Sequence, residues 1–202
     1  MQLPSSNNHR RGFTLVELLT VISITTVVML ALTSIIRSFY INNAYLLERT
    51  ESLSSAQRGV SDSIKAIREA SYGDDGSYPI AVAGTSTITI YSNVDGDGSI
   101  EKVKYFLSGT NFYRVVYNAT GSPPSYNVSP TSTTTIATYA RNASTTPVFT
   151  YYDTNGTQLS TTSPSIASIS SVQVSLLVDL NPNRAPNVFT LTETATLRNI
   201  HN

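Results

Sequence analysis

Cysteine is absent from the 202 residues, which rules out disulfides, iron–sulfur ligation and a cysteine nucleophile. Histidine occurs only at His9 and His201, near the two ends, so neither a zinc cluster nor a Ser-His-Asp triad has its imidazole in the body of the chain. Charge is scarce and balanced. Only 13% of residues are charged and the formal net charge is zero, which leaves no basic footprint for nucleic acid. No Gly-rich phosphate loop follows a strand pattern. No acid, base and nucleophile converge in the sequence either, so the expectation is a protein without catalysis of its own.

What the chain has in abundance is one apolar run. From Phe13 to Ile36 it reads as roughly 24 residues suited to span a ~30 Å hydrocarbon core as a helix, with Arg10, Arg11 and Gly12 before it. A secretory cleavage site of the A-x-A type is missing behind this run, so the run itself is the anchor. By the positive-inside rule Arg10 and Arg11 stay in the cytoplasm and the C-terminal bulk is exported. One carboxylate, Glu17, interrupts the run near its start. An acid at such a place costs on the order of 2–3 kcal/mol and marks a function; the plain alternative is a signal anchor that tolerates a shallow Glu.

The segment Arg11-Gly12-Phe13-Thr14-Leu15-Val16-Glu17-Leu18 resembles the prepilin-type processing motif of type IV pilins and type II secretion pseudopilins. The resemblance is specific over residues 10 to about 37 and general beyond them. It implies that a membrane aspartyl peptidase cuts between Gly12 and Phe13 and methylates the new N-terminal Phe13. Glu17 becomes the fifth residue of the mature chain, and in the family it meets the N-terminal amine of a neighbouring subunit during assembly. Charge pairing of this kind relieves the cost that either buried charge carries alone. Major pilins of the family often carry a Pro where Ser34 stands here and a Gly where Thr26 stands, and many close a C-terminal loop with a disulfide. Without these features the chain leans toward a minor pseudopilin similar to the J component of type II secretion. A minor pilin of a type IV pilus or competence system is the nearest alternative. A membrane-anchored adhesin or sugar-binding ectodomain is the alternative from another class.

The implied fold is α+β and pilin-like: a long N-terminal helix, membrane-spanning in its first half, packed on an antiparallel sheet. Its expected divisions are a cleaved leader at 1–12, a helix over 13–71 with the transmembrane part at 13–36, and a β-rich extracytoplasmic head at 72–202. Such a helix would be roughly 85–90 Å long at about 1.5 Å per residue. The implied partners are other pilins or pseudopilins, the prepilin peptidase and an inner-membrane assembly platform. The implied location is the cytoplasmic membrane, single-pass with the N-terminus inside and the head periplasmic or extracellular, passing into a filament on assembly.

The residues support that outline independently. Thr20, Ser23, Thr25, Thr26, Thr33 and Ser34 dot the apolar run, with hydroxyls able to bond back to the preceding turn. Leu46, Leu47, Leu53, Ala56, Val60, Ile64 and Ile67 recur every three or four residues, one apolar face of a helix. The charged residues from Glu48 to Glu69, Asp62 included, occupy its other faces. Gly59 weakens that helix by about 1 kcal/mol relative to Ala and marks close approach to a sheet. The stretch Tyr72-Gly73-Asp74-Asp75-Gly76 ends it, and the adjacent Asp74 and Asp75 need not converge. Residues 87–91, 100–107 and 112–117 read as a three-stranded meander, with Glu101, Lys102 and Lys104 pointing outward. Residues 118–147 read as a Ser/Thr/Pro/Asn-rich surface insert with a short edge strand near 134–141. Strand patterns return at 148–153, 172–179 and 187–198.

One loop carries candidate metal chemistry. In Asn93-Val94-Asp95-Gly96-Asp97-Gly98-Ser99-Ile100-Glu101, oxygen donors alternate as in the first half of an EF-hand loop. The twelfth position, which should supply a bidentate acid, is Lys104. An Asp/Gly hairpin turn is therefore the leading expectation and no cofactor is required; Asp95 and Asp97 are the ligands if calcium binds. Asn118, Asn127, Asn142 and Asn155 open N-x-[ST] triplets, which chance accounts for in so Ser/Thr-rich a chain. Tyr105, Tyr113, Tyr117, Tyr139, Tyr151 and Tyr152 are expected in the core and on sheet faces rather than in a binding surface.

Overall fold

Between Phe13 and Arg58 no glycine or proline interrupts the chain, and nothing in that stretch breaks a helix. The computed structural model describes residues 12–185 and 188–198. It contains one α-helix, α1 (Leu15–Arg68). Many residues of its first part are Val, Ile and Thr, which in water favour strands. In hydrocarbon every backbone group must be bonded within the segment, and that requirement enforces the helix. The chain divides into two units, Met1–Glu48 and Arg49–Asn202.

In the first unit the described residues up to Ala44 are all exposed. Leu18, Ile22, Val27, Leu30 and Ile36 are each more than half exposed, at 58%, 57%, 67%, 68% and 55%. An apolar surface on every side of a helix is suited to lipid or to other helices, and this helix is long and apolar enough to cross a membrane. Leu46 and Leu47, expected on the packed face, are exposed as well. The buried stripe starts later, at Ser52 and Ala56.

The second unit holds the core. Its strands are β1 (Ile80–Ala83), β2 (Thr87–Ser92), β3 (Glu101–Ser108), β4 (Asn111–Tyr117), β5 (Ala119–Thr120), β6 (Ser125–Tyr126), β7 (Ser132–Ala137), β8 (Phe149–Tyr152), β9 (Ser171–Val178) and β10 (Phe189–Thr196). A single 3-10 turn lies at Ile166–Ser168. All pairings are antiparallel and form a five-stranded sheet β1-β2-β3-β4-β7, a three-stranded sheet β10-β9-β8 and the small hairpin β5-β6. The expected meander is β2, β3 and β4, and the later strands fall within a few residues of their sequence patterns. The additions are β1, too short to alternate legibly, and the division into two sheets. In the insert, β7 ends at Ala137 rather than near 141.

A single apolar core joins the helix to both sheets. Ala56, Val60, Ile64 and Ile67 of α1 meet Ile90, Val103, Tyr105 and Phe112 of the larger sheet and Phe149, Val172, Val174 and Leu176 of the smaller one. Polar links seal the joint between the sheets. The Tyr151 hydroxyl donates to the Gly84 carbonyl at 2.8 Å and accepts from the Gly84 N–H at 3.0 Å. Asn142 acts as a side-chain continuation of the ladder: its Nδ2 donates to the Ser175 carbonyl at 2.9 Å and its Oδ1 accepts from Leu177 N–H at 3.0 Å. A glycan on that amide would forfeit these bonds.

Two features set how closely helix and sheet approach. A Cβ on Gly59 would lie 2.9 Å from the Ile136 carbonyl oxygen of β7, so the glycine is where the backbones meet, as its position in the helix suggested. Asp62, expected on a solvated face, instead turns to the sheet. It pairs with Arg114 at 2.9 Å and accepts from the hydroxyl of the fully buried Tyr105 at 3.0 Å. Only the β3–β4 register, which sets Tyr105 opposite Arg114, reveals the partner pair. The helix ends at Arg68 rather than near Ser71. Ala70 N–H bonds the Ile67 carbonyl in a tightened last turn, and Ser71 N–H goes to Tyr91 of β2.

Gly59→Ala is expected to destabilise the protein despite a helix-propensity gain of about 1 kcal/mol, because overpacking against backbone costs about 1–3 kcal/mol. A net loss of about 1 kcal/mol in denaturant unfolding is the predicted reading, against a change within about 0.5 kcal/mol for the exposed Ser61→Ala. Equal or greater stability of the glycine variant would mean that α1 and β7 are not in close contact.

Candidate functional site

The first described turn of α1 is built around Glu17. Thr14 is the N-cap, and the first intrahelical bond runs from Leu18 N–H to the Thr14 carbonyl at 3.1 Å. The Thr14 hydroxyl accepts from Glu17 N–H at 3.3 Å. In return Glu17 Oε2 accepts from Thr14 N–H and from the Thr14 hydroxyl, both at 2.9 Å. This is a reciprocal capping box, and its signal in the sequence is T-x-x-E, Thr14 to Glu17, directly before an apolar run. The carboxylate's other oxygen, Oε1, has no partner among the described residues. One group thus closes the helix start and still presents an acceptor.

Further along, five of the six hydroxyls singled out in the apolar run, all but that of Ser34, are satisfied within the helix. Thr20, Ser23, Thr25, Thr26 and Thr33 donate to the carbonyls of Glu17, Leu19, Val21, Ile22 and Met29 at 2.7–2.9 Å. Back-bonding of this kind lets polar residues sit in an apolar segment without stranded donors. Gly12 and Phe13 are exposed ahead of the cap, Phe13 at 86%. Arg10 and Arg11 lie outside the described residues, as do His9 and His201.

The second candidate is the loop between β2 and β3. It is a chain of Asx turns: Asn93 Oδ1 accepts from Gly96 N–H at 2.6 Å, Asp95 Oδ1 from Asp97 N–H at 3.1 Å and Asp97 Oδ1 from Ser99 N–H at 2.8 Å. Gly96 and Gly98 take positive φ of 80° and 95°, which an L side chain would strain. The Asp/Gly turn expected from the sequence is therefore present. Glu101, however, does not point outward. The alternation of β3 turns Glu101, Val103 and Tyr105 into the protein and leaves Lys102 and Lys104 on the other face, and Glu101 is fully buried. Glu101 differs from the outward expectation because the strand's period of two puts it on the face opposite Lys102 and Lys104.

Burial pushes the Glu101 carboxyl above its ordinary range; the Val94 N–H opposes that shift, and the charges of Asp95 and Asp97 add to it. Asp97 is held below its ordinary range, chiefly by the Ser99 N–H. Asp74 and Asp75 do not converge. Asp74 Oδ2 accepts from Ile100 N–H at 3.2 Å, whereas Asp75 Oδ1 accepts from Ser77 N–H at 2.9 Å. Tyr126 completes the frame: its hydroxyl donates to the Ile100 carbonyl at 2.6 Å, and burial pushes its phenol up to about 12. Of the tyrosines singled out in the sequence, Tyr105 and Tyr151 are core, while Tyr113 stacks on Phe106 at 5.1 Å between ring centroids.

Thr14→Ala removes the N-cap and is expected to cost about 1 kcal/mol in the first turn of α1. Amide exchange in detergent micelles should show faster exchange confined to residues 15–18, and Glu17→Gln, which can keep the box, should leave that exchange unchanged. Uniform exchange across both variants would mean that Thr14 does not cap the helix.

Among known proteins, residues 7–33 match the family model for the prokaryotic N-terminal methylation motif. No curated protein matches the chain. The matched residues contain Gly12, Phe13 and Glu17 together with most of the apolar run, and beyond them a long helix joins antiparallel sheets in an α+β layout. The chain thus carries the prokaryotic N-terminal methylation motif at residues 7–33, at the start of a long helix followed by antiparallel sheets, a layout similar to that of type IV pilin-like proteins.

Proposed function

We propose that the protein is a minor pseudopilin, a structural subunit of a type II secretion pseudopilus of the J-like kind. The observation that carries this reading is the methylation motif seated on an apolar helix with a single carboxylate in its first turn. The precursor inserts with Arg10 and Arg11 on the cytoplasmic side, and its head enters the periplasm. A prepilin peptidase cuts between Gly12 and Phe13 and methylates Phe13. Every group of the capping box lies at Thr14 or beyond, so the cut leaves the cap intact. Glu17 then offers its unpartnered Oε1 to the N-terminal amine of a neighbouring subunit while Oε2 holds its own helix start. Pairing two charges in hydrocarbon removes most of the cost that each carries alone. The exposed, mostly apolar surface of residues 13–36 supports bundling with the helices of other pilins on an assembly platform in the inner membrane.

The J-like subtype is supported by the unbroken α1 and the absence of cysteine. A minor pilin of a type IV pilus or competence system shares the motif and is the second reading that the same match favours. In each case the protein is an assembly part and the substrate of the peptidase.

The intact mass of the protein recovered from its native membrane should correspond to a chain starting at N-methyl-Phe13. An uncut Met1 would instead make it an anchored ectodomain such as an adhesin. Glu17→Ala should insert normally yet be lost from filaments, and Glu17→Gln, with the cap kept and the charge gone, should be lost as well. Normal incorporation of the Gln variant would remove the charge-pairing role. Deletion should block export of a secreted protein and leave pili in place; loss of pili or of DNA uptake with export intact would move the protein to the second reading.

A further inference from the structure

The β2–β3 loop brings Glu101 to Asp95 and Asp97, the two carboxylates that the sequence spacing already joined. Oxygen atoms of Asp95, Asp97 and Glu101 all lie within 4.8 Å of one another. Among the described residues no cation pairs with any of them. Glu101 is the informative member. Its Oε2 accepts from Val94 N–H at 2.9 Å, but its Oε1 is buried and has no hydrogen-bond partner. Directly opposite it in the β2–β3 register stands Ser92, whose buried Oγ is also unpartnered. Buried polar atoms in folded proteins almost always have partners, and here two orphans occur on neighbouring residues beside two exposed carboxylates.

We propose that this loop binds a calcium ion through Asp95, Asp97 and Glu101. A water molecule could satisfy Oε1, but it would leave three mutually repelling carboxylates without a counter-charge. A hard divalent cation supplies that charge and accepts an all-oxygen ligand set. The loop's glycines and Asx turns give the flexible six- to eight-fold coordination that calcium takes, rather than the strict octahedron of magnesium, with waters and main-chain carbonyls as the remaining ligands. Position twelve of the EF-hand pattern, Lys104, faces the far side of the sheet and is not needed; the buried acid at position nine takes its place. The framework is set independently of the ion, because Asp74 and Tyr126 hold Ile100 from both sides. The site lies wholly within the second unit and does not depend on the pseudopilin reading.

Calcium and magnesium chlorides titrated calorimetrically into the chelator-treated full chain in detergent micelles test this. The expected result is one calcium equivalent with Kd on the order of 0.1–1 mM, and magnesium bound at least ~10-fold more weakly. Asp97→Asn and Glu101→Gln should each weaken calcium binding ~10-fold or more, and the remote exposed Glu193→Gln should change nothing. Calcium should also raise the unfolding temperature of the wild type but not of the Asp97 variant. Because Asp97 is exposed, its variant should fold even where Glu101→Gln does not, and it then decides the matter alone. Absence of binding up to ~10 mM calcium, or unchanged affinity in Asp97→Asn, would overturn the site and leave Glu101 as a buried acid solvated by water.

Discussion

A helix in hydrocarbon has no water to bond its backbone, so the N–H and C=O groups of its interior must be satisfied along the helix itself. The exceptions are the groups at its two ends, and at the start the first donors must find something else. In this protein the Thr14–Glu17 box takes up two of them, the N–H groups of Thr14 and Glu17, without solvent. The same condition explains why Thr and Ser are tolerated deeper in the run, since their hydroxyls return to carbonyls a turn behind. It also explains why a β-branched sequence that would favour strands in water is helical here.

Glu17 is therefore under two demands at once. As a capping group it has to be held close to its own backbone, and in the assembly proposed above it also has to keep charge and an accessible oxygen for a neighbouring amine. A carboxylate meets both because it has two oxygens, and the structure assigns one to Thr14 while leaving the other without an internal partner. The apolar surface around it makes an unpaired charge costly and a paired one favoured, which is the property that the proposed assembly role draws on.

In the head the controlling contact is the approach of α1 to the larger sheet. Small residues, Ser52, Ala56, Gly59, Ser63 and Ala66, face inward, and Gly59 meets the β7 backbone where even a methyl group would collide. Asp62 locks that approach through Arg114 and Tyr105, two residues of adjacent strands. Beyond the helix end, the segment after Arg68 feeds Asp74 into the β2–β3 loop, so the frame of the proposed calcium site is continuous with the helix–sheet contact. The core thereby sets both the geometry of the head and the placement of its acidic loop.

Much of this was legible before the structure. The apolar helix and the carboxylate in its first turn are written contiguously, and contiguous patterns need only local physics. The meander β2–β4 was equally plain, because its strands are neighbours joined by Asp/Gly and Ser-Gly-Thr-Asn turns. The close-approach role of Gly59 also followed from its position. What the linear order did not disclose depends on non-local register. The second sheet forms because β9 pairs with β8 and β10 across long polar connections, and the Asp62 clamp requires two strands to align. The inward turn of Glu101 depends on which face of β3 the helix covers. Residue type and spacing decided that this chain is an anchored helix with a β-rich head; only the folded sheet decided which of its acids are surface, which is a clamp, and which one is buried with an oxygen left to fill.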